Sequence, residues 1–537
     1  MIRRRNGFLQ LAKQSCRETQ TAVRNSLLRL NVDSRFSIER KLVPDLTIAE
    51  FRSQIGIGDY ETVRPYIEEM QSGNHRALLG QDNELLMYAL TSGTTSQPKL
   101  IPVTRAYLKA YRRGWQHWGI SMYADHAPLK NLKMVQLTSS HDQRRTSDGI
   151  PCGNISGLVT SMQNRIVQKM YVVPPEAAQL NDASAKQHVA LIFALSDPLV
   201  GMFVTANPGT LLHLGRQATA WQESLTRDIH NGTLTAKNIS SDLLQQLQKR
   251  IRPNPARAQI VERMFEQHGS LNAAVCWPNL QALGVWTGGS AGAYRSELKA
   301  IFGGTPVRDH GLHASEGRIT IPFENETAAG VLDIESHYFE FLPLTELDSV
   351  QPEVLEAHEL TEGQDYFLLM TTASGLWRYN IRDVIRCTGY FGTTPLLEFR
   401  HKGKHISSIT GEKITESQVV DAMQAACNGS LPNHFTVTPC WGKPPGYRLI
   451  VEGSPARHFV DLANKFDFEL RQRNCEYDEK RTTGRLTNIL CEQKSPEVWE
   501  TFRQNRLQVT GGSSEQYKHP CLLPDPKFDG LFDLFCS

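Results

Sequence analysis

A short apolar run that leads into a loop of hydroxyl and glycine residues constrains the fold of this chain more than any other feature. Leu85–Leu90 reads LLMYAL, and Thr91–Lys99 continues as TSGTTSQPK. An apolar run that stops at such a loop is typical of a buried strand that ends at the edge of a sheet. Backbone N–H groups beside a glycine and several hydroxyls suit a phosphate. These groups belong to Ser92, Gly93, Thr94 and Thr95, and Lys99 adds positive charge.

The loop is therefore predicted to bind phosphate, with an ordinary surface turn as the alternative for this segment taken alone. The spacing GxxxxGK[ST] occurs nowhere in the sequence, which disfavours an ordinary P-loop.

Strand-like runs alternate with long helical patterns, and this alternation favours an α/β architecture with a parallel sheet. Thr104 can cap a helix over Arg105–Met122 through its hydroxyl. Lys133–Ser140 reads as a strand, and Pro208–His230 and Ser240–Arg250 read as helices. With 537 residues the chain is too long for one core. We expect a large domain of α/β subdomains with a small β-barrel-like part, followed by a smaller domain.

The composition changes at Phe399–Lys413, which is basic, polar and punctuated by glycine. The segments predicted beyond it are strands at His434–Cys440, Tyr447–Gly453 and Leu486–Glu492, and a helix at Ala456–Cys475. An α+β unit of this size can fold and move by itself. We expect residues 1–405 to form the large domain and residues 406–537 a small mobile α+β domain, with the hinge inside Arg400–Glu416.

The charge balance of the chain argues against nucleic acid or acidic lipid as a partner. The 58 basic and 56 acidic residues leave a formal charge of +2, so no global field attracts nucleic acid or acidic lipid. The longest apolar run, Val189–Leu195, is far too short for a membrane span. The basic N-terminus lacks the apolar core of a signal peptide, and we expect it to form a helix that docks on the domain.

The ten cysteines are scattered without metal-ligand spacing, which predicts reduced thiols of a cytoplasmic protein and no zinc site.

The segment Leu280–Gly303 reads as a strand, a glycine turn and a helix, and its turn is a literal GxSxG at 288–292. In a serine hydrolase that turn would present Ser290 as the nucleophile. The alternative is a tight turn whose glycines let a ligand approach the backbone. No oxyanion segment of the HGGG type precedes the motif, which favours the second interpretation.

Two further polar clusters carry carboxylates. Asp309–Pro322 reads DHGLHASEGRITIP, and Glu316 within it would supply the hard oxygen that Mg²⁺ prefers, provided that a triphosphate lies near. Gly375–Gly389 reads GLWRYNIRDVIRCTG, and its Asp383 lies between apolar neighbours, as a strand residue does. An aspartate in that position can accept two ribose hydroxyls, as acidic residues do in dinucleotide sites, although the motif taken alone favours an ion pair. The structural alternative is an ion pair between Asp383 and one of three nearby arginines, Arg378, Arg382 or Arg386.

Together these four clusters, in this order, resemble those of the adenylate-forming ligases. More closely they resemble the auxin-responsive acyl-acid amido synthetase family, which includes plant hormone-conjugating enzymes and bacterial relatives. The family's phosphate loop is similar to TSGTTSQPKLIPVT, its second motif resembles HASEG and its third resembles GLWRYNIRD. Gly511–Pro520 resembles the segment that carries the family's C-terminal lysine, here Lys518. The resemblance runs from Phe51 to Pro520, and we expect a bacterial-type member.

The resemblance implies an ATP- and Mg²⁺-dependent ligase that first joins a carboxylic acid to AMP, with release of pyrophosphate. An amine, as in an amino acid, then takes the acyl group and AMP leaves. Lys518 and Glu316 are the implied catalytic residues, with Glu316 as the metal ligand. The implied nucleotide contacts are Ser92, Gly93, Thr94, Thr95, Gly289, Ser290, His313, Ala314, Ser315, Asp383 and Arg400. The implied partners are small molecules, with no nucleic acid or membrane, and a monomer is plausible.

Two positions depart from the family pattern. The tyrosine expected four residues before Glu316 is replaced by Leu312, so adenine stacking is expected from His313 or Trp286. Arg382 stands where plant members have glycine, and it would contact phosphate or pair with Asp383. Three alternative functions stay open at this point: a coenzyme A ligase of the same superfamily, a serine hydrolase that uses Ser290, and a binding protein without catalysis.

Overall fold

The computed structural model describes residues 2–91, 99–163, 165–206, 208–289, 295–346, 349, 351–403, 406–407, 409–410, 412, 414–429, 431–440, 442–453, 459–510 and 517–523. The chain is a mixed α/β protein with a large N-terminal part and a smaller C-terminal part, as the sequence predicts. No helix in these ranges is long and apolar enough to cross a membrane.

The N-terminal segment is helical and lies against the large domain, which confirms the docking expected from the sequence. The helices before the first strand are α1 (Ile2–Gln14), α2 (Cys16–Leu30), α3 (Arg35–Glu39), α4 (Ile48–Gln54) and α5 (Tyr60–Gln71). The Phe8 ring of α1 is buried and stacks on His117 with centroids 4.8 Å apart. Arg5 Nε donates to Ser121 Oγ at 2.7 Å.

The strand that precedes the predicted phosphate loop forms as expected and is the antiparallel partner of the strand that follows the loop. The elements of this region are β1 (Leu85–Thr91), β2 (Lys99–Thr104), α6 (Arg105–Asp125), β3 (Lys133–Gln136), β4 (Arg144–Arg145) and β5 (Pro151–Gly153). They give a four-stranded sheet of order β2-β1-β5-β4. Thr104 caps α6, because its hydroxyl accepts a hydrogen bond from Tyr107 N at 3.1 Å. Strand β3 is shorter than the Lys133–Ser140 run that the sequence predicts.

A parallel sheet of order β3-β6-β7-β8 forms the second layer, with a separate apolar core. Its further strands are β6 (Val200–Thr205), β7 (Ala282–Val285) and β8 (Val307–Arg308). The helices of this part of the chain are α7 (Ile155–Ser161), which packs on the first core, and α8 (Arg165–Gln168), α9 (Ala183–Ser196), α10 (Pro208–Ala220), α11 (Gln222–Asn231), α12 (Ser241–Gln248), α13 (Pro255–His268), α14 (Ala273–Cys276) and α15 (Arg295–Phe302). The single helical pattern predicted for Pro208–His230 is thus two helices, which meet at Trp221. Since the strands are parallel, the residues that follow each of them meet at one edge.

A seven-stranded antiparallel sheet of order β11-β12-β17-β16-β15-β13-β14 curls against the first core and corresponds to the predicted barrel-like part. Its strands and the hairpin before them are β9 (His313–Ala314), β10 (Gly317–Arg318), β11 (Thr320–Ile321), β12 (Gly330–Leu332), β13 (Tyr338–Pro343), β14 (Leu355–Glu356), β15 (Asp365–Thr371), β16 (Tyr379–Phe391) and β17 (Thr394–Lys402). The long strands β16 and β17 bring the third sequence motif beside the predicted hinge.

The C-terminal part has its own apolar core, which runs from Ile414 to Leu522. Its elements are β18 (Ile406–Ser407), β19 (Ile414–Thr415), α16 (Glu416–Ala426), β20 (Phe435–Cys440), β21 (Gly446–Glu452), α17 (Phe459–Arg473), α18 (Cys475–Thr482), β22 (Leu490–Lys494) and α19 (Pro496–Thr510). The two strands predicted first are confirmed. The third begins at Leu490, four residues later than predicted, because β22 pairs in parallel with β21 from that residue on.

Candidate active site

Asp383 lies inside strand β16, and its partner is a lysine on the neighbouring strand. Lys402 is the cross-strand neighbour of Asp383, and its Nζ donates a hydrogen bond to Asp383 Oδ1. The Asp383 side chain is 3 % exposed and that of Lys402 is 44 % exposed. Crowding by protein atoms disfavours the Lys402 ammonium, but the charges of Asp383 and Glu316 outweigh it, so the pKa of Lys402 is raised. The Asp383 carboxylate is therefore buried and held by the more exposed lysine beside it.

The ion pair predicted between Asp383 and a nearby arginine is therefore wrong. Each of the three arginines pairs with another carboxylate instead. Their carboxylate partners are Glu340 for Arg378 at 2.9 Å, Asp59 for Arg382 at 2.8 Å and Asp365 for Arg386 at 2.7 Å.

The backbone conformation at position 382 explains how plant members can have glycine where this chain has Arg382. Arg382 has a φ of 60°, in the left-handed region that glycine adopts at little cost. A glycine there, as in plant members, fits the same backbone. The Arg382 guanidinium bonds Asp59, which precedes α5, so it does not pair with Asp383.

Glu316 occupies the turn of a tight hairpin. Strands β9 and β10 pair through Ala314 and Gly317, which leaves Ser315 and Glu316 as the two turn residues. The turn is fixed from behind, since Tyr107 Oη donates to the Ser315 carbonyl at 3.0 Å. Glu316 is 9 % exposed, and burial raises the pKa of its carboxyl. The Lys402 and Lys99 charges oppose this rise in the Glu316 pKa, whereas the Asp383 charge adds to it, so the four groups lie near one another.

Lys518 reaches this group of residues from the C-terminal part of the chain. Its Nζ lies 2.9 Å from the centroid of the Trp286 ring, directly after β7, and Phe399 of β17 packs edge-on against that ring. Crowding by surrounding protein atoms, followed by the Lys402 charge, lowers the pKa of Lys518 to about 7. The side chain is nevertheless exposed, so it lies in an open cleft that is walled by protein. Opposite charges on Asp383, Glu416 and Asp309 act against the lowering.

The residues around Lys518 are bound to the C-terminal sheet. The contacts are His519 Nε2 with the Phe435 carbonyl at 2.9 Å, Thr436 Oγ1 with the Pro520 carbonyl at 2.7 Å, Cys521 N with Glu416 Oε1 at 2.7 Å, and Leu523 N with the Val437 carbonyl at 2.9 Å. The position of Lys518 in the cleft is therefore tied to the position of the C-terminal domain as a whole.

Asp309, to which the sequence analysis gave no role, joins the ends of two parallel strands. Its Oδ2 accepts from Thr287 N at 2.5 Å and from Thr287 Oγ1 at 2.8 Å, and its Oδ1 accepts from Gly311 N at 2.6 Å. Burial raises the pKa of Asp309 to about 6, although these hydrogen bonds oppose the shift. The sequence did hold a signal for this role of Asp309, since the residue directly follows a short strand and precedes His310 and Gly311.

The glycine turn after β7 needs its glycines. Gly289 has a φ of 56°, and a Cβ there would lie 2.9 Å from the Arg400 carbonyl oxygen and 3.0 Å from the Phe399 ring. The predicted contact residue Arg400 thus meets the turn through its backbone. Its guanidinium lies 3.9 Å from Glu398 and 3.9 Å from Asp421 of α16.

The two candidates for adenine stacking have different surroundings. Leu312 is buried, and His313 after it packs against Tyr111 and Trp115, with centroids 6.2 Å and 5.7 Å away. Burial, then the His310 ring, lowers the pKa of His313 well below its usual value, so the ring is neutral. The face of Trp286 carries the Lys518 ammonium.

Residues Ser92 to Thr95 and Ser290 lie outside the described part of the chain. The ends of the first loop are described: Thr91 pairs with Lys99 across β1 and β2. The Lys99 Nζ lies 5.1 Å from the centroid of the Tyr60 ring, and its charge acts on Glu316. The loop therefore starts and ends beside the carboxylate cleft.

Three lysines (Lys99, Lys402 and Lys518) and two carboxylates (Glu316 and Asp383) lie near one another, and these are the groups that a polyphosphate and a cation require. The chain belongs to the GH3 family. It matches the family's N-terminal domain over residues 5–307, its central domain over 330–402 and its C-terminal domain over 417–527. The resemblance stated from the sequence motifs is thereby confirmed.

Among similar proteins, indole-3-acetic acid-amido synthetase GH3.3 of Arabidopsis thaliana is 22 % identical over 78 % of this chain and 73 % of its own length. Jasmonoyl-L-amino acid synthetase JAR4 of Nicotiana attenuata is 25 % identical over 70 % of this chain and 67 % of its own length. The structure of the GH3.15 acyl acid amido synthetase superposes with a TM-score of 0.85 at 20 % identity, covering 97 % of this chain and 94 % of that one. These relatives support an amido synthetase over a hydrolase or a coenzyme A ligase. The bacterial-type assignment stays a prediction.

Proposed function

We propose that this protein is an ATP-dependent acyl-acid amido synthetase. It joins a carboxylic acid to AMP with release of pyrophosphate, and then transfers the acyl group to an amine, as in an amino acid, with release of AMP. The observation that carries the proposal is the presence of Lys518, from the C-terminal domain, in the cleft that holds Glu316, Asp383 and Lys402. The amido synthetase activity of the family's named members supports it.

In the first half-reaction a substrate carboxylate oxygen attacks the α-phosphorus of ATP. A carboxylate–phosphorus bond forms, and the bond to the pyrophosphate oxygen breaks. Two anions must approach each other, so positive charge at the α-phosphate is the main requirement. Lys518 supplies that charge, because bound phosphates favour its protonated form. Lys402 and Lys99 add to it, and Ser92, Thr94 and Thr95 bind the phosphates through hydroxyls and N–H groups.

The nucleotide sugar is held by Asp383, which accepts the ribose hydroxyls while the hydrogen bond from Lys402 orients its carboxylate. The base lies between the glycine turn at Gly289 and the hairpin that carries His313, Ala314 and Ser315. Arg400 contributes through its backbone beside the turn.

The residues of the cleft fit a Mg²⁺ ion. Glu316 is a buried carboxylate with a raised pKa, so a cation beside it would stabilise its ionised form. Mg²⁺ in nucleotide sites commonly uses one or two carboxylates together with substrate phosphates, and Glu316 meets that requirement. When bound, the ion would spread the charge of the phosphates.

In the second half-reaction the amine nitrogen attacks the acyl carbonyl, an amide bond forms, and the bond to the AMP oxygen breaks as the nitrogen loses a proton. Lys518 is not needed at this stage. We propose that residues 1–405 and 406–537 are the two moving parts, with the hinge inside Arg400–Glu416, and that the closed cleft keeps water from the adenylate. The separate apolar core of the C-terminal part supports independent movement. A cytoplasmic location is part of the same proposal.

The test is a screen for pyrophosphate release. Purified protein with ATP and Mg²⁺ is given a panel of carboxylic acids, and AMP release is then measured with amino acids or with coenzyme A. We expect acid-dependent pyrophosphate release, followed by AMP release with an amino acid. AMP release with coenzyme A alone would support the thioester ligase, and ester hydrolysis without ATP would support the hydrolase.

A further inference from the structure

Helix α10 of the large domain touches the C-terminal domain through Arg216. The Arg216 Nη2 donates to Asn433 Oδ1, just before β20, at 3.0 Å. The same Nη2 lies 3.1 Å from Glu297 Oε2 on α15, so the large domain itself holds this side chain in its extended position. A side chain held by one domain and bonded to the other is suited to fix how the two domains meet.

A second residue of the same helix faces the same domain. His213 lies one turn before Arg216, and its pKa is lowered to about 4, chiefly by burial and next by the Arg503 charge. The Glu500 charge opposes this shift, and both charged residues belong to α19 of the C-terminal domain. His213 therefore lies near α19 of that domain, while Arg216, whose side chain is 43 % exposed, lies at the edge of the contact.

A continuous set of contacts leads from Arg216 to Lys518. Asn433 Nδ2 donates to Glu452 Oε1 at 2.8 Å, and the other oxygen of Glu452 binds His434 Nδ1. The His434 ring meets His519 edge-on with centroids 5.1 Å apart. Because His519 is bonded to Lys518 in the chain, the contact at Arg216 and the ammonium in the cleft belong to one rigid set of residues.

We propose that Arg216 is a positioning residue that docks the C-terminal domain in the arrangement required for adenylate formation. The inference rests on the proposed function. In that function, the arrangement in which Lys518 reaches the cleft serves the first half-reaction only. Arg216 touches no reacting atom. It acts by favouring the docked arrangement over the one in which the amine reacts.

The test compares the two half-reactions in Arg216→Ala. We expect pyrophosphate release to fall by about five-fold in kcat, the effect of one hydrogen bond of ordinary strength, with the KM for ATP unchanged. Aminolysis of a supplied acyl-adenylate should be unchanged or faster. Asn433→Ala removes the same bond from the other side, and the double variant should be no slower than either single variant.

Arg263→Ala is the matched control, since Arg263 is an exposed arginine on α13 whose Nε bonds the Gln259 carbonyl of its own helix. It should leave both half-reactions unchanged. An equal fall in both half-reactions of Arg216→Ala, no fall in either, or additive effects of the two variants would overturn the inference. A wild-type protein that releases no pyrophosphate with any acid would instead reject the proposed function.

Discussion

Lys402 on β17 donates a hydrogen bond to Asp383 on β16, and the two residues are direct cross-strand neighbours. The pair therefore joins the third sequence motif to the segment Arg400–Glu416 that is proposed as the hinge, since Lys402 lies inside that segment. The Asp383 side chain is only 3 % exposed.

Asp383→Asn should weaken ATP binding about ten-fold, since a neutral amide accepts weaker hydrogen bonds from the ribose than a carboxylate does. Stability should change little, because Lys402 is partly exposed and can turn towards water. Titration calorimetry and thermal melting measure the two effects. The control is Asp365→Asn, which removes the carboxylate from the Arg386 ion pair on the same sheet and should leave ATP binding intact. A variant that unfolds readily yet still binds ATP would make Asp383 a purely structural residue.

Glu316→Ala should lower Mg²⁺-dependent pyrophosphate release by roughly 100-fold, a barrier change of about 3 kcal/mol. The variant should fold, because Glu316 lies in a hairpin turn. Glu324→Ala, at an exposed carboxylate, is the control and should be fully active. Unchanged activity of the folded Glu316 variant across a Mg²⁺ titration would reject its role as metal ligand.

Lys518 should react faster than Lys402 with an amine-selective reagent at pH 8. The pKa of Lys518 is lowered to about 7, so most of its ammonium is deprotonated and nucleophilic at that pH. The pKa of Lys402 is raised, so that lysine stays protonated in the same cleft and serves as an internal control. Peptide mass spectrometry after a short labelling pulse measures both. ATP with Mg²⁺ should protect Lys518 from labelling. Equal labelling of the two lysines would contradict the lowered pKa of Lys518.

Arg382→Gly should be more stable than Arg382→Ala by about 1 kcal/mol, since the left-handed backbone at this position costs a side-chain-bearing residue roughly that much. Both variants lose the same partly exposed ion pair with Asp59. The comparison therefore isolates the effect of the backbone conformation at residue 382 on the free energy of unfolding. Denaturant unfolding gives the difference, and equal stability of the two variants would contradict the backbone explanation.

The sequence predicted the elements whose signals are local. The apolar run before the first loop, the Thr104 cap and the α/β alternation all depend on neighbouring residues, and the structure confirms them. The sequence alone could not predict that Lys402 is the partner of Asp383, because strand register joins residues far apart in the chain. The role of Asp309 was hidden for a similar reason, as its partner Thr287 lies on another strand. The break of the long helical pattern at Trp221 carries no glycine or proline signal.

The most direct test of the central claim separates the two half-reactions in Lys518→Ala, with Ser290→Ala measured beside it. In the arrangement proposed for the first half-reaction Lys518 lies at the α-phosphate, where two anions must meet, so Lys518→Ala should abolish acid-dependent pyrophosphate release. The same variant should still convert a supplied acyl-adenylate and amine to amide and AMP at the wild-type rate, while Ser290→Ala should remain active in both. Loss of activity in Ser290→Ala together with full activity in Lys518→Ala would contradict the account.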